Sequence, residues 1–364
     1  MRTLDKLTVR NFKSIRDQTL ELGRLNLFIG GNGAGKSNLV GVFKFLNRVV
    51  SDELQTYTGQ CGGANSLLHF GRKQSPSLFV SAEFTEGNTA NGYAFELLPT
   101  AKDSFVFGKE EIWFHDRKAH PHKPFDEQLG SGQVEARLPK ADVRIAPSVR
   151  RDLASYRIYH FHDTSPEAKL KQTGKVDENR ILFPDAGNLA AFLFRLKQTA
   201  PTYYANIEDA VRQIAPFFDG FRLVPSALNP NAIQLEWAEK NYEGTFNAAA
   251  LSDGTLRFIC LATLLLQPEP PGVILLDEPE LGLHPAAIGL LSDMLEAAAT
   301  RAQVVVATQS VTLVNQFTPQ EVWVVERENG ASVFKHLKSE DLSAWVEGYS
   351  LGELWEKNVI GGRP

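Results

Sequence analysis

The sequence predicts an α/β fold on the strength of two features. The first is an apolar segment, residues 25–29, that runs into a glycine-rich turn and then into a helical pattern over residues 38–49. The second is the last third of the chain, where strand-like and helical segments alternate between residues 254 and 325. This alternation is typical of a parallel sheet with crossover helices. With 364 residues and a hydrophobic content of 43%, the chain is long enough to bury a substantial core.

A separate antiparallel part is predicted around the glycine-rich turn. Residues 4–9 and 18–22 alternate apolar and polar side chains, as half-buried strands do. Three further β-rich segments, which predict a meander over residues 75–115, are residues 78–84, 93–98 and 104–114. Residues 115–147 are polar and interrupted by prolines, which predicts a surface loop.

The middle of the chain, residues 115–250, is predicted to be an insertion with helical segments at 188–199 and 203–214. No heptad pattern is sustained between the glycine-rich turn and residue 250, which excludes a long coiled coil there. The alternating strands and helices follow in residues 251–330. After them, the aromatic segment from Trp345 to Trp355 predicts packing in a core or at an interface.

Charge and cysteine content narrow the class of protein. Lys and Arg number 38 against 43 Asp and Glu, so the net charge is −5 and any contact with DNA needs a local basic patch. The candidate patch is Arg144, Arg150, Arg151 and Arg157, although a solvated face is the simpler interpretation. The two cysteines lack partners at ligand spacing, and no run approaches the ~18 apolar residues of a membrane helix. We therefore expect a cytoplasmic protein with no membrane partner.

The glycine-rich turn, Gly-Gly-Asn-Gly-Ala-Gly-Lys-Ser, matches the phosphate-loop pattern G-x-x-x-x-G-K-[ST]. A turn with few Cβ atoms can wrap its backbone N–H groups around a phosphate, and the helix that follows directs its positive end at the same anion. Lys36 is expected to reach the β and γ phosphates of ATP, and the Ser37 hydroxyl to ligate Mg²⁺. The predicted nucleotide-binding residues are Gly30, Asn32, Gly33, Ala34, Gly35, Lys36, Ser37 and Asn38.

A second candidate lies where the apolar run 273–276 ends in Asp277-Glu278-Pro279-Glu280. Ligands of parallel sheets bind at the carboxyl ends of the strands, so these acids are expected at the nucleotide. Asp277 would hold Mg²⁺, and Glu278 would orient or deprotonate the attacking water. Taken alone, an acidic surface turn after a core strand would explain the same residues.

The third piece, Leu-Ser-Asp-Gly at residues 251–254, precedes an apolar helix and alone is no more than an N-cap. The chain therefore has, in order, the phosphate-loop pattern, this Leu-Ser-Asp-Gly segment and the Asp-Glu strand. Here the chain resembles the ABC-type ATPase heads of the SMC and RecF kind, and within them the small OLD-like AAA-family ATPases of bacteria. The resemblance rests on residues 11–15, 30–38, 159–166, 251–258, 277–285 (Asp-Glu-Pro-Glu-Leu-Gly-Leu-His-Pro) and 307–310.

The resemblance implies one ABC-type P-loop NTPase head over residues 1–364, with an antiparallel β lobe and a parallel-sheet, RecA-like lobe. In such heads the signature serine and glycine contact the γ phosphate bound by the other subunit. Ser252 and Gly254 are therefore expected to act in trans, in a homodimer joined head to tail through its ATP sites. Residues 282–285 match the loop that lines the dimer seam.

The sequence departs from the pattern at Gln309, where many relatives carry a histidine. Glutamine can hydrogen-bond a phosphate or a water but cannot accept a proton at neutral pH. Glu278 then remains as the base, Lys36 and Gln309 complete the predicted catalytic set, and hydrolysis is expected to be slow. The glutamine of the Q-loop has no evident equivalent, and His162 and Asp163 are the positional candidates.

The resemblance implies a switch controlled by ATP, with a role in DNA maintenance or in defence against phage and a separately encoded effector as partner. We expect no nuclease activity, because the segment after Gln309 lacks the Asp-x-Asp of a Toprim nuclease. Two alternatives remain open. One is a nucleotide-binding subunit of a transporter, and the other is a scaffold that binds ATP without hydrolysing it.

Overall fold

The computed structural model describes residues 2–338, 340, 342 and 348–363. The chain forms two compact units. Unit 1 comprises Met1–Ile158, Pro271–Leu275 and Thr318–Pro364, and unit 2 comprises Tyr159–Pro270 and Leu276–Phe317. Trp345, with which the predicted aromatic segment begins, lies outside the described residues.

The chain forms β-strands and α-helices with the following bounds. The strands are β1 (Thr3–Phe12), β2 (Ile15–Glu21), β3 (Leu25–Ile29), β4 (Leu78–Glu86), β5 (Thr89–Pro99), β6 (Phe105–Asp116), β7 (Phe125–Gly130), β8 (Tyr156–Tyr159), β9 (Gly174–Lys175), β10 (Phe218–Phe221), β11 (Ala232–Ile233), β12 (Glu236–Glu239), β13 (Thr245–Asn247), β14 (Val273–Asp277), β15 (Gln303–Thr308), β16 (Val322–Glu328) and β17 (Ala331–His336). The helices are α1 (Lys36–Val50), α2 (Leu54–Gln60), α3 (Ala64–Leu67), α4 (Ala146–Ala154), α5 (Leu189–Thr199), α6 (Pro201–Ile214), α7 (Asp253–Leu266), α8 (Pro285–Ala299), α9 (Val311–Val314) and α10 (Leu351–Glu356).

Unit 1 contains a six-stranded antiparallel sheet of order β2-β1-β4-β5-β6-β7. The predicted meander is present as β4, β5 and β6. The loop predicted for residues 115–147 is wrong in part, because β7 forms there and pairs with β6, with Phe114 opposite Phe125. The side chains of β7 are mostly exposed or half-buried. Backbone pairing with β6 therefore forms this strand without the apolar alternation that would reveal it in the sequence.

A second ladder in unit 1 carries the glycine-rich turn. Strand β3 pairs in parallel with β16, which pairs antiparallel with β17. All five residues of β3 are buried, as are the apolar residues of α1 that lie at helical spacing, Leu39, Val42, Phe43 and Leu46. The Phe43 ring packs edge-on against Tyr156, with centroids 5.9 Å apart. The turn between β3 and α1 is thus anchored by buried structure on both sides.

Unit 2 contains the two predicted helical segments as α5 and α6, together with the three-stranded antiparallel sheet β10-β12-β13. Every residue of β15 is buried, and so are the apolar residues at the centre of α7. A strand buried along its whole length reads as a continuous apolar run, which is typical of parallel sheets. Among the described residues, no helix combines the length and the apolarity needed to cross a bilayer.

A fully buried carboxylate, that of Glu110 on β6, links this strand to the segment after β7. Its oxygens accept hydrogen bonds from the Tyr93 hydroxyl (2.9 Å), the Gln133 side-chain amide (2.8 Å) and the backbone amides of Arg137 (2.9 Å) and Leu138 (3.0 Å). A buried carboxylate is tolerated when its acceptor sites are filled in this way.

We expect Glu110→Ala to lower the free energy of unfolding by roughly 3 kcal/mol or more, because each buried donor left without an acceptor costs about 1–3 kcal/mol. Urea denaturation followed by circular dichroism measures the change. The matched control is Glu111→Ala, which removes only a surface ion pair with Lys109 and should cost less than about 1 kcal/mol. Equal losses in the two variants would contradict this role for Glu110.

Candidate functional site

The glycine-rich turn has a backbone that only glycine allows at several positions. Gly33 and Gly35 have φ angles of 77° and 121°, in the region that side chains disfavour. A Cβ on Gly35 would also collide with the Ser332 hydroxyl, and one on Gly30 with the Val325 carbonyl oxygen. The glycines therefore fix both the curvature of the turn and its close contact with β16 and β17.

A directional chain of hydrogen bonds supports this turn. The side-chain amide of Asn38 donates to the Ser14 hydroxyl at 2.6 Å, and the Ser332 hydroxyl donates to the Ala34 carbonyl at 2.6 Å. The hydroxyl oxygens of Ser14 and Ser332 are themselves 2.6 Å apart. Because Ser332 already uses its proton, Ser14 must donate to Ser332, so that each hydroxyl donates once. Ser332 was not among the predicted residues, and no local sequence signal distinguishes it.

The side chains of the turn differ in exposure. Lys36 is buried, and its ammonium group donates to the carbonyl of Gly30 and, at 3.3 Å, to that of Gly31. Asn32, Gly33 and Ser37 are exposed. The charge of Lys36 is therefore held against the backbone of the turn, while the Ser37 hydroxyl lies at the surface of unit 1.

The C-terminal segment also contacts the turn, which the sequence did not predict. A Cβ on Gly31 would lie 2.8 Å from the Arg363 carbonyl oxygen. The backbone amide of Gly362 donates to Glu326 at 2.9 Å, and the buried Trp355 donates its indole N–H to the Gly362 carbonyl. Trp355 therefore packs in a core, as the aromatic segment predicted, and holds residues 361–363 beside the turn.

In unit 2, the predicted base and the predicted glutamine are in direct contact. The Gln309 side-chain amide donates to Glu278 Oε1 at 2.6 Å. The Glu278 backbone amide donates to the Ala307 carbonyl at 2.7 Å, so the ends of β14 and β15 are joined by main chain as well as by side chain. Glu278 has a φ of 45°, a left-handed conformation that is uncommon for a non-glycine residue and is often found at functional sites.

The signature residues lie at the start of α7. Ser252 is exposed and is the N-cap, since its hydroxyl accepts the Thr255 backbone N–H at 3.2 Å. Gly254 lies against the loop before α8, where a Cβ would come within 2.5 Å of the Gly282 carbonyl oxygen. Ser252 is therefore a helix cap, as its position before an apolar helix predicted. Because Ser252 is exposed, a ligand can also reach it.

Arg257, which the sequence did not single out, links the parts of unit 2. Its guanidinium donates to the carbonyls of Leu281 and His162, both at 2.9 Å. His162 Nε2 in turn lies 2.8 Å from the Asp277 carbonyl oxygen, so Nε2 carries the proton. A cavity of about 10 Å³ between these residues and Glu278 is too small for any part of a nucleotide. The positional candidate for the Q-loop is therefore tied to the strand that carries Asp277.

The arginine patch proposed for DNA is partly occupied within the protein. Arg150 donates to the carbonyls of Leu138, Pro139 and Ala141, each at 3.1 Å. Arg157 donates to the carbonyls of Ala154 and Tyr156. These two guanidinium groups stabilise turns of the chain, which leaves the patch a weak candidate for a phosphate backbone.

The residues present fit a nucleoside triphosphate with Mg²⁺. A Cβ on Gly33 would meet no atom within 4 Å, so the turn is open there, and α1 has no side-chain cap on its N-terminus, where an anion is stabilised. The Ser37 hydroxyl and the Asp277 carboxylate are oxygen ligands of the kind that Mg²⁺ prefers. Ser37 belongs to unit 1 and Asp277 to unit 2.

We expect the docking of residues 361–363 to weaken at acidic pH. The hydrogen bond and charge of Lys335, followed by the Gly362 amide, lower the pKa of Glu326 below its ordinary value of 4.5. A carboxylate with a lowered pKa stabilises the folded state above the ordinary value, and that contribution is lost as the pH falls through the lowered pKa. Hydrogen exchange of residues 359–363, corrected for intrinsic rates, should show full protection at neutral pH and loss below pH 4.5. Glu326→Gln should remove this pH dependence, and identical profiles for both proteins would contradict the assignment.

The chain matches one protein-family model. The family model described as "AAA domain, putative AbiEii toxin, Type IV TA system" matches residues 25–315. No curated protein matches the chain.

Three similar solved structures are SMC head domains. An Smc head bound to the C-terminal winged-helix domain of ScpA is 16% identical with a TM-score of 0.61, over 94% of this chain and 99% of that one. An Smc head with an extended coiled coil, bound to the C-terminal domain of ScpA from Pyrococcus furiosus, is 15% identical with a TM-score of 0.60, over 95% and 99%. The SMC head of Thermotoga maritima is 16% identical with a TM-score of 0.53, over 93% and 100%.

At these identities the likeness establishes the fold, and it confirms the ABC-type P-loop NTPase head predicted from the motifs. The family model covers well over half of the chain. The chain therefore belongs to this AAA family, described as "AAA domain, putative AbiEii toxin, Type IV TA system".

Proposed function

We propose that the chain is a slow ATPase that works as a switch, closing into a head-to-tail homodimer when it binds ATP and opening after hydrolysis. The proposal that the chain hydrolyses ATP rests on the hydrogen bond from Gln309 to Glu278. The amide N–H donor fixes one oxygen of the carboxylate, and a general base must be held in place within hydrogen-bond reach of the proton it accepts.

The chemistry divides among the residues as follows. The glycine-rich turn binds the phosphates, and Lys36 exchanges its carbonyl partners for their oxygens. Glu278 accepts the proton of the attacking water, and Gln309 holds Glu278 in place without taking a proton itself. Ser37 and Asp277 are the residues that would hold Mg²⁺, which when bound would neutralise charge at the phosphates. With Glu278 as the one base and glutamine in place of histidine at position 309, turnover is slow.

The dimer is proposed from the signature residues. Ser252 is exposed at the N-terminus of a 14-residue helix, whose positive end favours an anion. Since Ser252 and Gly254 match residues that act across the dimer in related heads, a second copy supplies the phosphate they contact. Binding energy for ATP is then shared by two chains, and hydrolysis removes the link between them.

We propose that the ATP-controlled switch acts on a separately encoded protein partner. The family description names a toxin of a type IV toxin–antitoxin system, and two of the similar SMC heads were crystallised with ScpA. A role in defence against phage or in DNA maintenance agrees with both. The transporter alternative is disfavoured by Gln309 and by the broad antiparallel sheet of unit 1.

Phosphate release from ATP tests the hydrolytic function against the scaffold alternative. Glu278→Gln should lower kcat by about 100-fold or more, the range in which general-base catalysis contributes, and Lys36→Ala should lower it by a similar factor because it removes a positive charge from the phosphates. The matched control is Lys44→Ala, on the exposed face of the same helix, which should leave kcat unchanged. ATP binding by the wild type without phosphate release would favour the scaffold.

The dimer is tested with Glu278→Gln, in which bound ATP is retained. Size exclusion with light scattering should show a dimer with ATP and a monomer without it. Adding Ser252→Asp keeps an N-cap residue but sets a negative charge against the phosphate, so the dimer should be lost, whereas Ser252→Asn keeps the cap without the charge and should preserve it. A monomer in all three proteins would refute the head-to-tail model.

A further inference from the structure

Glu280 is a largely buried carboxyl group with no part in the chemistry described above. Its Oε1 atom accepts a hydrogen bond from the Thr308 hydroxyl. Its Oε2 atom is buried and has no hydrogen-bond partner among the described residues. A buried polar atom of this kind is uncommon in folded proteins and calls for an explanation. Glu280 and Thr308 both belong to unit 2, together with Glu278 and Gln309.

The position of Gln309 shows what Glu280 contributes. Strand β15 ends at Thr308, and α9 begins after Ser310, so Gln309 lies between the two elements, outside both. The Thr308 hydroxyl donates to Glu280 and accepts the Ser310 backbone N–H at 2.9 Å. The Ser310 hydroxyl in turn caps α9 by accepting the Leu313 N–H at 3.1 Å. Both neighbours of Gln309 are therefore fixed, one of them by Glu280.

Charge favours the same arrangement. Burial raises the pKa of the Glu280 carboxyl, and the nearby charge of Glu278 raises it further, against hydrogen bonds from Thr308 and the Gln309 backbone that lower it. Two carboxyl groups close together in a poorly solvated place repel each other when both are charged, so the Glu280 carboxyl holds its proton more tightly than an isolated one.

We propose that Glu280 is a positioning residue for ATP hydrolysis: it clamps the end of β15 through Thr308 so that the Gln309 amide stays on the Glu278 carboxylate. Glu280 acts here through the Thr308 hydroxyl and the Gln309 backbone amide, and it takes no part in the proton transfer itself. The inference rests on the proposed function, since it assigns Glu280 to the same hydrolytic site.

Steady-state kinetics of ATP hydrolysis form the first part of the test. Glu280→Ala and Thr308→Val should each lower kcat about tenfold, the effect of roughly 1.4 kcal/mol in the barrier, while the KM for ATP stays within about twofold. Glu280→Gln keeps an acceptor for Thr308 and should retain at least about a third of kcat, because the clamp is preserved. Glu296→Ala, at an exposed glutamate on α8, is the control for loss of a carboxylate and should be unchanged.

A double-mutant cycle separates positioning from a general structural effect. If Glu280 acts through Gln309, the double variant Glu280→Ala/Gln309→Ala should be no slower than Gln309→Ala alone. Losses that multiply, or a loss confined to KM, would overturn the proposal. Thermal unfolding of each variant checks that the chain is folded at the assay temperature.

The second part of the test does not depend on turnover. A crystal structure of Glu280→Ala should show the Gln309 amide beyond hydrogen-bond distance of Glu278, and that of Glu280→Gln should show it in place. If Gln309 stays on Glu278 in the alanine variant, Glu280 is not the clamp, whatever the activity. If the contact is lost but the wild type releases no phosphate from ATP, the clamp exists and it is the proposed hydrolysis that fails.

Discussion

A loop built from glycine cannot hold its own shape, and this constraint governs unit 1. Glycine accepts the left-handed backbone that the turn requires, but for the same reason it does not restrict the chain to that conformation. The missing rigidity comes from outside the loop, through the hydrogen bonds that run from Asn38 by Ser14 and Ser332 to the Ala34 carbonyl. Strand β17 and the segment at residues 361–363 thus belong to the phosphate loop as much as its own residues do.

The carboxylates of unit 2 are held in a comparable way, by groups distant in sequence. Arg257 fastens the start of α7 to the loop before α8 and to His162, and His162 is bonded to the Asp277 carbonyl. Backbone carbonyls accept most of these bonds, so the contacts persist whichever protonation state the acids adopt. Such support from side chains that never touch the substrate is what keeps a reactive group in a narrow range of positions.

Local patterns were sufficient for much of this structure. The glycine pattern predicted the turn, helical spacing predicted the buried face of α1, and the Asp-Glu strand and Gln309 proved to be in contact. Even Leu-His-Pro has a local cause, because His284 caps α8 and Pro285 occupies its first position. The residues that the sequence did not reveal are polar and have distant partners. Ser332 forms a hydrogen bond with a residue 318 positions away, and Arg257 is a single polar residue on a helix. Strand β7 has no apolar alternation. Neither the spacing nor the type of these residues therefore distinguishes them in the sequence.

Because β17 supports the glycine-rich turn, the turn is synthesised well before the residues that hold it in shape. Residues 30–37 leave the ribosome early, but the serine that fixes Ala34 and the carbonyl that lies against Gly31 follow roughly 300 residues later, which at 5–20 residues per second is a delay of about 15–60 s. These contacts cannot form before both of their partners have been synthesised. The nascent chain therefore carries the nucleotide motif long before it has the residues that hold the nucleotide site rigid.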